Sequence, residues 1–182
     1  MCPRRNCSRT MTRLTADDFN RLYREHARRV QGFFLRMTGD AAGAEDLTQE
    51  LFTRLWENRD SFDARQGTFA TWMYTVAYNL CKNEYRHRDV VERTRDESRA
   101  GEDLTVSCAA DELERRETSA ALTEAVRQLP DGFREVFLLR YVEELPIRDV
   151  ALALGIPEGT VKSRAYTALT TLKEKMEQLN KE

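Results

Sequence analysis

Apolar positions recur at helical spacing along most of the chain, and no stretch shows the strict alternation of a half-buried strand. Phe19, Leu22, Tyr23, His26, Val30, Phe33, Phe34 and Met37 fall on one stripe and predict an amphipathic helix that closes at Gly39-Asp40. A second helix is predicted from about Ala42 to Asn58, with Leu47, Leu51, Phe52, Leu55 and Trp56 on its apolar side. After the short loop FDARQG, a third runs from about Thr68 to His87 and carries Phe69, Trp72, Met73, Val76, Ala77, Leu80 and Cys81. Periodicity then lapses. It resumes through Leu122, Ala125, Val126 and Leu129, stops at Pro130, and continues through Phe133, Val136, Phe137, Leu139 and Tyr141 before a final helical pair.

The lapse divides the chain. Residues 89–118 are mostly polar, with ten acidic and five basic residues and few apolar ones. Their middle, RDESRAGEDLT, reads as a flexible linker, and a further helix is expected to begin near Asp111. The predicted fold is therefore all-α: a basic tail at 1–16, a helical domain at 17–88, a linker at 89–112 and a second helical domain at 113–182.

The last segment, IRDVALALGIPEGTVKSRAY, has helix-turn-helix grammar. Ala151 is small enough for two helices to cross closely, and Gly155 tolerates the positive φ of the turn. Val150, Leu154, Ile156 and Val161 fill the wedge between the helices. Pro157 suits a first helical turn, and Glu158 faces the positive end of the helix dipole. In a DNA reader of this kind the second helix enters the major groove. Lys162, Ser163, Tyr166 and Thr167 then lie outward, Arg164 meets a backbone phosphate, and the amides near Gly159 and Thr160 suit another.

Charge complicates that picture. With 29 basic and 31 acidic residues in 182, the chain is slightly acidic, and the reading helix has no cation between Arg164 and Lys173. Phosphate neutralisation drives most protein–DNA affinity, so this helix needs help from elsewhere.

Two other surfaces are candidates to supply it. On the second helix, AEDLTQELFTRLW presents Asp46, Gln49, Glu50 and Glu57 opposite its apolar face. This is either a solvated face or a dock for a basic partner, and like charge makes DNA a poor candidate for that partner. On the third, Phe69, Trp72, Tyr74, Tyr78 and Tyr85 are interleaved with Thr71, Asn79, Lys82, Asn83, Arg86 and Arg88. That pattern fits a plain amphipathic helix, or one that stacks exposed bases beside amides and cations.

Taken in order, these pieces resemble a bacterial RNA polymerase sigma factor of the extracytoplasmic-function group, which has only the second and fourth sigma domains. AEDLTQELFTRLW is similar to the family's region 2.2, FATWMYTVAYNLCKNEYR to regions 2.3 and 2.4, and QLPDGFREVFLLRYVEELPIRDVALALGIPEGTVKSR to region 4. The resemblance implies a transcription initiation factor, cytoplasmic, that directs core polymerase to promoters and helps to melt the minus-ten element. It assigns Asp46, Gln49 and Glu50 to the clamp helices of the polymerase's largest subunit, with the flap as a second dock. It assigns Phe69, Trp72, Asn79, Lys82, Asn83 and Arg86 to minus-ten binding and melting, and the loop Phe62 to Gly67 to a flipped base. Thr160, Lys162, Ser163, Arg164, Tyr166 and Thr167 fall to the minus-thirty-five element. Where relatives continue with further Arg or Lys, this chain has Thr167, Thr170 and Thr171. Relatives are commonly held by an anti-sigma protein, and an acidic tether would let two domains clamp around one.

Other classes fit less well. A helix-turn-helix regulator with an N-terminal dimerisation or sensor domain predicts tight binding of DNA by the isolated chain. No Gly-rich phosphate loop and no nucleophile with a base points to catalysis. Cys2, Cys7, Cys81 and Cys108 make no C-x-x-C pair and find no ligand spacing with His26 or His87, so neither metal nor cofactor is expected. Cys81, inside an apolar pattern, is expected to be a small buried hydrophobe. No apolar run is long enough to span a membrane, and the N-terminus lacks a signal peptide's apolar core.

Overall fold

Helix starts and stops are set by a few local devices. The computed structural model describes residues 14–92 and 122–179, with side chains of 86–92 excepted. Thr15 caps the first helix, α1 (Ala16–Thr38), by accepting the Asp18 amide at 3.2 Å, and Asp17 and Asp18 sit on the favourable end of its dipole. Gly39 ends it in the left-handed region at φ 69°, returning its N–H to the Leu35 carbonyl. The next residue, Asp40, caps α2 (Ala41–Glu57) by accepting the Gly43 amide. Two adjacent residues thus close one helix and open the next, which folds α1 back on α2. A single 3-10 turn, Arg59–Ser61, follows, and α3 (Phe69–Glu92) runs several residues past the predicted end at His87.

The C-terminal half restarts its helices on prolines. A helical stretch at 122–127, α4, precedes α5 (Asp131–Phe137), which passes into a π-helical stretch, Leu138–Val142. Then come α6 (Ile147–Leu154) and α7 (Glu158–Leu179). The carbonyls of Pro130, Pro146 and Pro157 each accept two amides from the helical turn that follows. A ring that fixes φ and has no N–H to satisfy is well suited to that position. Pro157 therefore stands just before α7, one residue outside the first-turn position expected for it.

The cores follow the predicted stripes. Val30, Phe33, Phe34 and Met37 of α1 are buried with Leu51 and Leu55 of α2 and Met73 and Leu80 of α3. In the helix-turn-helix, Val150 and Val161 are fully buried, and each such side chain stabilises by about 1.5–3 kcal/mol. Gly155 turns the corner at φ 65°.

The sequence predicts a linker between the two domains and says nothing of a contact between them. The two halves pack directly, chiefly through α3 and α6. Thr71 Oγ1 donates to Asp149 Oδ2 at 2.7 Å, the Tyr74 hydroxyl donates to Glu143, and Arg29 Nε lies 3.3 Å from the same carboxylate. The reason is a second stripe on α3 that apolar periodicity does not register. Thr71, Tyr74, Tyr78 and Tyr85 are spaced to share one edge and bring hydroxyls to it. The flexible linker and the helix expected from Asp111 lie outside the described residues, apart from the helical backbone at 89–92.

Two outcomes test this packing. A Cβ at Gly155 meets nothing within 4 Å, so Gly155→Ala changes only backbone conformation, and urea unfolding should show a loss of about 1 kcal/mol. Cys81 is fully buried and its thiol is pushed up to about 12, first by burial and then by Glu135. Iodoacetamide at neutral pH should therefore leave Cys81 unmodified in the native chain and modify it after unfolding, as read by peptide mass.

Candidate nucleic-acid and polymerase interface

The acidic face of α2 is open. Asp46, Gln49 and Glu50 are all exposed, on the side away from Leu47, Leu51 and Leu55. Glu50 is paired with Arg54 one turn on, at 2.5 Å, and both side chains stay about half exposed, so the pair is worth little in stability. Beside this face stands an aromatic ridge that the sequence had suggested was core. Trp56 is 37% exposed and Tyr23 46%, while Phe19 and Phe52 pack edge-on beneath them. The Arg59 guanidinium stacks over Trp56, 4.3 Å from the ring centre. An exposed aromatic pair beside carboxylates and an amide has the composition of a protein-binding surface.

Around the start of α3 the aromatics divide by depth. Phe69 is buried, with its ring 6.0 Å from Phe62, 5.8 Å from Trp72 and 5.6 Å from His26. It is thus a floor beneath Trp72 and not an exposed stacking ring. Burial lowers the pKa of His26 and so favours its neutral form. Trp72 is half buried, Asn79, Lys82 and Asn83 are exposed, and the Arg86 side chain is outside the described residues. Trp72, Val76 and Asn79 line a shallow hollow of about 300 Å³ with Arg54, Asn58 and Ser61 from the end of α2 and the 3-10 turn. Those last three were not singled out from the sequence. Their signal, polar residues just past a helix end, is common to most helix ends.

The loop Phe62 to Gly67 is tied to itself. Asp63 accepts from the backbone and guanidinium of Arg65, and these bonds hold its carboxyl below the usual range. Phe62 anchors the loop in the core.

On α7, Lys162, Ser163, Tyr166 and Thr167 are exposed, Tyr166 at 73%, whereas Thr160 is half buried. These outward residues match the face expected of a groove-reading helix. Arg164 does not join them. Its guanidinium lies over Gly132, where an added Cβ would approach Nη1 to 2.9 Å, and its charge acts on Glu135 and Tyr78. In this conformation the Arg164 cation is near enough to Glu135 of α5 and Tyr78 of α3 to act on both electrostatically. Glu135, hydrogen-bonded to Tyr78, is raised above the ordinary carboxylate range by burial, and burial also pushes the Tyr78 phenol up to about 12.

The comparisons with known proteins agree with this layout. Residues 22–90 match the family model for sigma-70 region 2 and residues 119–172 that for sigma-70 region 4. The ECF RNA polymerase sigma factor SigL of Mycobacterium tuberculosis is 35% identical over 87% of this chain and 88% of its own. SigW of Bacillus subtilis, another ECF sigma factor, is 32% identical over 79% of this chain and 81% of its own. Among solved structures, the sigma factor RpoE of Bartonella quintana, in complex with the anti-sigma factor NepR, superposes with a TM-score of 0.76. It covers 89% of this chain and 98% of its own at 21% identity, a likeness of fold. With both sigma-70 regions in order and relatives this similar over most of its length, the chain belongs to the ECF RNA polymerase sigma factors.

Proposed function

We propose that this chain is the promoter-specificity subunit of a bacterial RNA polymerase, docking on core enzyme mainly through α2 and reading two promoter elements with α3 and α7. The observation that carries the reading is the pairing, on one chain, of an open carboxylate–amide face with two separate helices whose exposed residues suit DNA. Asp46, Gln49 and Glu50, flanked by Tyr23 and Trp56, are the dock. Trp72, Asn79, Lys82 and Asn83 face the minus-ten element, with the buried Phe69 supporting Trp72 from below. Arg86, three residues beyond Asn83 in the sequence, is assigned to the same element. Lys162, Ser163, Tyr166 and Thr167 read the minus-thirty-five element, Thr160 lies at the helix start, and Arg164 joins them after a change of partner.

This division of labour explains how so few cations suffice. A subunit held on a much larger DNA-binding enzyme benefits from that enzyme's electrostatic grip, and its own readers need only discriminate. Opening duplex DNA without a nucleotide cofactor calls for capture of an unstacked base, which costs a few kcal/mol. The hollow between Trp72, Asn79 and Asn58 offers an aromatic wall and two amides for that purpose. Chemistry on nucleotides belongs to the polymerase, and the chain works in the cytoplasm where that enzyme is. By analogy with the Bartonella relative, an anti-sigma factor is a fitting partner. Among the described residues no helix is long and apolar enough to cross a membrane.

Two measurements follow. The purified chain should bind sigma-free core polymerase, and Gln49→Ala or Glu50→Arg should weaken that binding by roughly tenfold or more, with helicity unchanged. Nanomolar binding of duplex DNA by the chain alone, without affinity for core enzyme, would show it to be a free-standing regulator. With fork-junction DNA selected from a random pool by the assembled holoenzyme, Asn79→Ala should cost about 1–3 kcal/mol of base discrimination upstream of the fork. Lys162→Ala should weaken binding in the distal duplex and lower the salt dependence by about one ion.

A further inference from the structure

The contact between the two halves is polar, specific and partly strained. Glu143 has a side chain only 2% exposed, and it is held from the N-terminal half by the Tyr74 hydroxyl and the Arg29 guanidinium. Arg29 Nη2 also lies 3.5 Å from the Val142 carbonyl. Beside this, Thr71 Oγ1 donates to Asp149 at the start of α6. The backbone that delivers Glu143 is irregular. The π-helical stretch Leu138–Val142 ends in a bond from the Glu143 amide to the Leu138 carbonyl, and Glu144 is the one non-glycine with positive φ, 59°, among the described residues. Strain of this kind persists only where its surroundings hold it in place, and it gathers at switching sites.

Distance makes the contact consequential. Elements centred near minus ten and minus thirty-five are about 25 base pairs apart, or about 85 Å along duplex DNA at 3.4 Å per step. A body of some 140 residues is only about 40 Å across. While α3 touches α6, α7 cannot stand on one element with α3 on the other. Residues 93–121, the stretch between the described halves, can extend to at most about 100 Å, so the covalent chain permits a separation that the closed contact forbids.

We infer that Glu143, gripped by Tyr74 and Arg29 and seconded by the Thr71–Asp149 bond, is a latch that holds the free chain in a closed form unable to read both promoter elements at once. The inference rests on the sigma-factor reading and adds a conformational step to it. The exposed face of α2 remains available in the closed form, so core polymerase can dock there first. Engagement of the second half by the enzyme or by DNA then competes with the latch. The groups involved suit a reversible closure, since carboxylates, hydroxyls and a guanidinium all find water when the halves part. Opening also releases Arg164 from the neighbourhood of Tyr78, leaving its cation closer to availability on the reading helix.

Energy transfer between dyes on the full chain tests this, with Cys2, Cys7 and Cys108 replaced by Ser and labels at Arg24→Cys and Glu174→Cys. The free chain should show one population of high efficiency. Tyr74→Phe, which removes only a hydroxyl, and Thr71→Val should each raise the low-efficiency fraction by roughly tenfold, the net effect of losing one buried hydrogen bond. Glu143→Gln serves as a third variant should either of these unfold, and far-UV circular dichroism checks all three. Adding sigma-free core polymerase should move the unmodified chain to the low-efficiency population. Binding of core enzyme with no change in efficiency would overturn the latch, as would variants indistinguishable from the parent. Failure to bind core enzyme would instead defeat the sigma reading, while the comparison of free variants would still decide whether the latch exists.

Discussion

A buried carboxylate cannot be left alone. Glu143 is withdrawn from water at the junction of the two halves, and desolvating a charge costs several kcal/mol unless partners surround it. Its partners come from the other half of the chain, at Tyr74 on α3 and Arg29 on α1. Burial, then Glu143 itself, pushes the Tyr74 phenol far above its ordinary range, so it stays protonated and can only donate to that carboxylate. The rest of the contact is arranged around this arrangement of donors. Thr71 reaches Asp149 one turn before Tyr74, and Arg134 reaches the Tyr85 hydroxyl at 3.3 Å three turns after it. Tyr85 in turn donates to the Met37 carbonyl at the end of α1. One helix therefore carries bonds to both halves, and a shift of α3 against either breaks some of them.

Local features of the fold were legible in the sequence and long-range ones were not. Gly39-Asp40 and Gly155 announce their turns because positive φ and an N-terminal carboxylate cap are properties of one or two residues. The stripes of α1 and α2 were legible because a 3.6-residue period survives whatever the helix packs against. Tyr23 and Trp56 were misplaced as core for the same reason: periodicity marks an apolar stripe but not where its edge meets solvent. Phe69 and Trp72 illustrate the converse. Three residues apart and alike in chemistry, they differ in depth, and only the position of Phe62 and His26 decides which one is the floor.

The contact between the halves had no local signal at all. Thr71, Tyr74 and Asp149 are ordinary helix residues, and nothing in their neighbours indicates partners 69 to 78 positions away. Arg164 shows the same limit within the reading helix itself. From its spacing it belongs beside the phosphates, and only the packing of α5 against α7 reveals another set of neighbours.

That packing has a consequence for substitution on α5. Gly132 leaves a vacant place under the Arg164 guanidinium because it has no side chain, so the two positions are sterically linked although they lie on different helices. An alanine at 132 would crowd the guanidinium and make it shift from its niche. The place of the Arg164 cation on α7 thus depends on a residue of α5. A side chain gained at position 132 is therefore felt at position 164, one helix away.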